Sequence, residues 1–255
     1  MPFARFELLV GLRALWFSKL QAFIDPEEGI TPSVARQELK RQHQVMENWF
    51  PDEERKRQVR GFVDDNESSG RELIVANCWF MAEKESQKMW DVFASGEGVV
   101  VKSTVGSLVK SLTMSHEKYW IGKVNYIDSS TYDGMDAYSG SQAHLRAFLK
   151  NNKFSYENEL RVATMNWVCP GCLNSDGSPP NERQRAGYVS GGDRVGIYVL
   201  VNLMTLIAEV RTSPDTLHEH RKKIELLLNN AGCAAPVRPS ELSILRRGDG
   251  ECQSF

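Results

Sequence analysis

Nine consecutive residues, Leu73-Ile74-Val75-Ala76-Asn77-Cys78-Trp79-Phe80-Met81, are apolar except for Asn77. A run of that length and makeup predicts a strand covered on both faces. The patterns around it alternate between helix and strand. Phe3, Phe6, Leu9 and Val10 recur at helical spacing, and a short strand is predicted after them at Ala14-Leu15-Trp16-Phe17. Met89, Trp90 and Phe93 form the inner stripe of a helix ending at Gly96, and Gly98 to Val101 predicts a second buried strand. Ser103-Thr104 can cap a short helix bearing Leu108 and Leu112. Further strands are predicted at Tyr119 to Ile127, Glu157 to Trp167 and Val195 to Val201, with helices at Ser141 to Asn151 and from Ser213 to Gly232. This mixed order predicts an α+β fold: one domain over residues 1–255, with a central mixed or antiparallel sheet packed by helices.

Two stretches stand apart. Asp25-Pro26-Glu27-Glu28-Gly29 is a turn, since proline fixes φ and glycine permits a positive one. After it, Thr31-Pro32 reads as a helix cap with proline at the first helical position. A charged helical excursion over 34–70 follows, broken at Pro51 and closing in a loop at Asp64 to Gly70; its alternating charges predict a solvated face. The Gly/Pro/Asn/Ser-rich stretch 169–194 reads as a flexible loop.

Hydrophobic residues at 41% and charged residues at 25% exclude a disordered chain. A net charge of −2 supplies no field that would draw the protein to nucleic acid or acidic lipid, so neither a nucleic-acid surface nor a membrane is expected as partner. No apolar run reaches the roughly 18 residues of a membrane span, and the opening residues lack the pattern of a secretory signal. Five scattered cysteines argue against a disulfide framework. The expected location is the cytoplasm.

The chemistry-bearing residues concentrate in Lys150-Asn151-Asn152-Lys153-Phe154-Ser155-Tyr156-Glu157-Asn158-Glu159-Leu160-Arg161. If Glu157 opens a strand, then Glu157, Glu159 and Arg161 share a face, because side chains alternate. Two acids beside a guanidinium shift one another's proton affinity and can bind a polar ligand or transfer a proton. A solvent-facing strand with a weak ion pair is the plain alternative. The aromatic stretch around Cys78, with Trp79 and Trp90, is either core or a shelf for a flat ligand. Cys169-Pro170-Gly171-Cys172 is a lone CxxC without the further ligands of a zinc site, and no metal is expected. No Walker loop, GxSxG, HExxH or GxGxxG occurs.

Several blocks together resemble domain-of-unknown-function family twenty-nine seventy-one (DUF2971). Leu15-Trp16-Phe17-Ser18, Phe23, Asp25-Pro26 and Glu28-Gly29 resemble its opening block, and Cys78-Trp79, Glu85-Ser86, Met89-Trp90 and Gly98 its central one. Val124-x-Tyr126 resembles its next strand. Lys150, Phe154, Glu157, Glu159 and Arg161 reproduce its K-x3-aromatic-x2-E-x-E-x-R pattern, and Ile207, Ser213-Pro214 and Ser240-x-Leu242 its last block. The family's late E-x-E strand is in turn similar to ADP-ribosyltransferase-like folds, which implies group transfer. On that analogy Glu159 is the key acid, supported by Glu157 and Arg161, with NAD as a candidate substrate.

The expected function is thus an enzyme acting on a nucleotide-like or similarly polar small molecule. Glu159, Glu157 and Arg161 would be catalytic, and Trp79, Trp90, Tyr126 and Lys150 substrate-binding. The alternative is a non-catalytic binding or scaffold protein, a degenerate family member or an accessory protein of a small-molecule pathway.

Overall fold

A computed structural model describes residues 1–94, 96–112, 118–134, 140–165, 195–214, 216 and 218–243, with the backbone alone at 62–69 and 140–143. The expected flexible loop at 169–194 and its CxxC lie outside the described residues. The helices are α1 (Phe3–Leu12), α2 (Ser33–Glu47), α3 (Glu53–Leu73), α4 (Gln87–Phe93), α5 (Val105–Ser111), α6 (Leu203–Leu206) and α7 (His218–Asn230). The strands are β1 (Ala14–Lys19), β2 (Ile74–Phe80), β3 (Val99–Lys102), β4 (Trp120–Lys123), β5 (Asn125–Ile127), β6 (Leu149–Asn151), β7 (Glu159–Met165), β8 (Gly196–Leu200), β9 (Glu209–Thr212) and β10 (Val237–Pro239). The fold is α+β, as the sequence predicts. Among the described residues, no helix is long and apolar enough to cross a membrane.

Contacts divide the chain into two compact units. One comprises Met1–Trp16, Ala82–His116 and Tyr198–Phe255, the other Phe17–Met81 and Glu117–Ile197. In the first, β10, β9 and β3 form a sheet, with β10 parallel and β3 antiparallel to β9. Its short strands β9 and β10 carry no run long enough to be read from sequence. Thr104 caps α5 by accepting from the Ser107 N–H at 3.0 Å, as expected. In α4 only Trp90 is buried; Phe93 is 40% exposed, because seven residues make too short a helix for a two-turn inner stripe.

In the second unit the antiparallel strands β4, β7 and β2 adjoin in that order within a five-stranded sheet, β4-β7-β2-β1-β8. The apolar run predicted as a strand is β2, and its pairing with β7 extends from Ile74 opposite Met165 to Phe80 opposite Glu159. Directly opposite residues share a face, so Ile74, Ala76 and Cys78 lie with Met165, Ala163 and Arg161. The lower end of that face is apolar: Leu20, Ile74, Ala76, Ala147 and Ala163 form a cluster joined by Phe23 and Phe148. The upper end is polar, and the candidate site occupies it.

Three expectations are corrected here. Asp64 to Gly70 is not a loop but the continuation of α3. Its start is fixed by the Asp52 carboxylate, which accepts from the Arg55 N–H at 2.8 Å, and by Glu53 and Glu54 in the first turn, so the helix overrides its weak formers. Pro32 precedes α2 rather than opening it. The stretch 140–148 is a 3-10 helix followed by β6, with three residues per turn, so Arg146 and Ala147 are buried while Leu145, Phe148 and Leu149 are half-buried.

The core and the surface respond differently to substitution. Ile74→Ala is expected to cost about 2–5 kcal/mol, the range for emptying a filled core position. Asp52→Ala is expected to cost about 1 kcal/mol through its lost cap. Urea titration of both variants checks the order.

Candidate functional site

Three segments of the second unit converge on the polar end of the β2–β7 face. The turn at 25–29 supplies Glu28, β6 supplies Lys150, and the segment into β7 supplies Glu157, Glu159 and Arg161. Gly29 makes the turn possible: its φ is +72°, and a Cβ there would stand 2.9 Å from Leu20 Cδ1. All five charged side chains are buried. The expected cluster of Glu157, Glu159 and Arg161 does assemble, by a different route. The strand begins at Glu159, so only Glu159 and Arg161 share its face, and Glu157 ends a 3-10 helix (Asn152–Glu157).

Arg161 is fully buried, and four of its five N–H donors are taken by protein. Its Nε and Nη2 donate to Glu159 Oε2 at 2.9 and 2.6 Å, and Nη1 donates to the Ala147 carbonyl at 2.7 Å and to Glu28 Oε1. Its guanidinium carbon lies 5.1 Å from the Phe23 ring centroid. Lys150 Nζ donates to Glu157 Oε2 at 2.6 Å and stands 3.6 Å from Glu159 Oε2 and 4.0 Å from Glu28 Oε2. Parallel pairing of β5 with β6 sets Tyr126 beside Lys150. The Glu159 N–H donates to the Tyr126 hydroxyl at 2.9 Å, and the Glu159 carbonyl accepts from Val124 at 2.9 Å.

Burial works against every charge here, and neighbours decide each outcome. Burial raises the proton affinity of Glu159, but the charges of Arg161 and Lys150 outweigh it and hold its pKa below the usual value. Burial also raises Glu157; Lys150 opposes that, yet the charge and hydrogen bond of Glu159 leave its pKa above the usual value. Burial acts to lower Lys150, and the charge of Glu159 with the hydrogen bond of Glu157 raises it instead. Two adjacent carboxyls driven in opposite directions form an acid/base pair: Glu157 takes up a proton readily while Glu159 stays anionic.

Cys78, directly opposite Arg161, hydrogen-bonds the Glu159 carboxylate. Two properties pull apart at this residue. It keeps exposed surface, yet burial pushes its thiol pKa well up. The crowding around the thiol keeps it protonated. A protonated thiol is a poor nucleophile.

The other expected ligand residues separate. Tyr126 and Lys150 belong to the cluster. Trp79 lies opposite Leu160 on the other face of β2, where its Nε1 donates to Asn77 Oδ1 at 2.6 Å, so side-chain parity removes it from the site. Trp90 belongs to the first unit and donates to Glu85 Oε2 at 2.8 Å. There Glu85 also accepts from Arg211 Nη1 at 2.6 Å, the Glu241 N–H at 3.0 Å and the Ser240 hydroxyl. Glu28 and Cys78 were not singled out by spacing; only their place in the family-like blocks marked them. His144 stacks on Trp120, with ring centroids 4.3 Å apart.

No family model, curated protein or solved structure matches the chain.

Removing Arg161 leaves Glu28 and Glu159 buried without their cation, so Arg161→Met is expected to cost about 3–5 kcal/mol by chemical denaturation. The two acids give opposite pH dependences. Glu159 stabilises the fold above the usual 4.5 and loses this as pH falls through its lower folded value. Glu157 stabilises it at low pH and loses this as pH rises from 4.5 through its higher folded value. Stability measured against pH should therefore show Glu157→Gln gaining on the wild type above pH 4.5. The deficit of Glu159→Gln should shrink below that pH.

Proposed function

We propose that the protein is an enzyme acting on a nucleotide-like or similarly polar small molecule by acid/base-assisted group transfer at the Glu157/Glu159/Lys150 cluster. The observation that carries this reading is the gathering of three buried carboxyls, Glu28, Glu157 and Glu159, within 4.0 Å of Lys150 Nζ, where the surroundings drive Glu157 toward protonation and Glu159 away from it. Glu157 delivers or accepts the proton. Glu159 remains negative, held in place by Tyr126 and Arg161, and supports positive charge developing on a substrate. Lys150 bridges the two. Arg161 does not touch the substrate, because it has no exposed surface and four of its N–H donors already serve Glu159, Glu28 and Ala147. The same residues form the E-x-E-x-R pattern behind the resemblance to DUF2971 and to ADP-ribosyltransferase-like folds, which makes NAD the first candidate substrate. For NAD, anchoring of the diphosphate cannot come from Arg161.

A second reading is favoured by the complete burial of Arg161 among protein acceptors: a cluster that is purely a buried clip in a non-catalytic binding or scaffold protein. Glu157→Gln separates the two. Glutamine keeps an oxygen for Lys150 and an N–H for Glu159 but cannot exchange a proton. Incubation with NAD and common nucleotides, followed by mass spectrometry, should show wild-type consumption or an added mass. The variant should lose it at least about 100-fold, with its melting temperature within about 4 °C of wild type. Equal turnover in both proteins, or none in the wild type, supports the clip.

A further inference from the structure

Asn158 stands between the two acids and has φ 38° and ψ 57°, one of two non-glycine residues with positive φ among the described residues. Such a backbone is uncommon for a side-chain-bearing residue, and asparagine is among the few that adopt it readily. The position of the reversal matters. Asn158 ends the 3-10 helix, and β7 starts at the next residue. In a continuing 3-10 helix, residues two apart point about 120° away from one another. A strand extended back through Glu157 would set the two acids on one face about 7 Å apart along it. Glu157 follows neither pattern: it ends the helix, and the reversed residue lies between it and β7. With the left-handed residue between them, the Glu157 and Glu159 carboxyls both approach Lys150 Nζ, at 2.6 and 3.6 Å. The conformation is clamped from β2: Met81 N–H donates to the Asn158 carbonyl at 2.9 Å, and Asn158 Nδ2 donates to the Met81 carbonyl.

We infer that Asn158 is a positioning residue, whose left-handed backbone brings the Glu157 carboxyl against Glu159 and Lys150. The inference rests on the acid/base reading of that pair. It also sets a rule for the motif: the residue between the two glutamates must tolerate the left-handed region, which restricts it to asparagine, aspartate or glycine. A structural residue alone would alter stability; a positioning residue alters the titration of its neighbours.

The test is a carboxyl titration by NMR of protein labelled with carbon-13 in the glutamate side chains, with Glu157 and Glu159 assigned through their glutamine variants. Wild type should show Glu157 titrating above and Glu159 below the ordinary range. Asn158→Gly, which keeps the backbone freedom, should retain that separation. Asn158→Val, β-branched and excluded from the left-handed region, should narrow it by about one pH unit or more. Asn158→Ala is the milder variant if the valine protein does not fold, and it should narrow the gap in the same direction. Wild-type separation persisting in the folded valine or alanine protein overturns the inference, as does its loss in the glycine protein. Wild-type carboxyls that titrate together overturn the acid/base reading instead, whatever the variants do.

Discussion

A guanidinium with no access to water holds the second unit's polar end together. Burying an ion costs several kcal/mol even after relaxation, so Arg161 can stand inside only with its acceptors already in place. Those acceptors come from distant parts of the chain: Glu28 from a turn, Ala147 from a 3-10 helix, Glu159 from its own strand. Each segment therefore has to reach one geometry before the cluster is worth forming. The positive φ of Gly29 serves this end by directing Glu28 inward, and the Tyr126 hydroxyl does so by fixing the backbone of Glu159. The same burial determines what Arg161 cannot do. A cation without exposed surface cannot meet a ligand, so any chemistry falls to Lys150 and the acids around it.

The sequence made the scaffold of this site readable and concealed its closure. A nine-residue apolar run and a two-residue alternation are local signals, and β2 and the Glu159/Arg161 face appear where those signals put them. Trp79 shows the limit of composition without parity: it neighbours Cys78 in sequence and lies on the opposite side of the sheet. Glu28 contributes to the cluster across 133 residues, a distance at which no periodicity operates. Glu157 joins through a turn whose 3-10 character has no spacing signature, and Asn158 was legible only as a residue that tolerates turns. The extension of α3 through Asp64 to Gly70 was hidden for another reason, since helix propensity is a weak prior that capping and packing override.

Two buried charge clusters, one in each unit, show what separates a clip from a reactive site. Around Glu85 four donors converge: a guanidinium, an indole, a hydroxyl and a backbone N–H. Burial acts to raise its pKa, the hydrogen bonds outweigh burial, and the carboxylate stays negative. Arg211 also pairs with Glu209 and Glu241, and Glu241 is half-exposed, so water carries its charge. Such a cluster has no proton to give.

Around Arg161 the balance is different. Lys150 and Arg161 contact Glu28, Glu157 and Glu159, and all five side chains are buried, so within this group three carboxyls stand against two cations. The surplus is not shared evenly. Glu159 receives two hydrogen bonds from Arg161 and the approach of Lys150, whereas among these cations Glu157 contacts Lys150 alone. The cheapest way to remove a buried surplus charge is to protonate the carboxylate with the fewest cations near it, and that is Glu157. A proton held for this reason is exchangeable, because any positive charge brought to the cluster would replace it. The imbalance that looks like a defect in a structural ion pair is therefore what supports the acid/base role proposed for this face of the sheet.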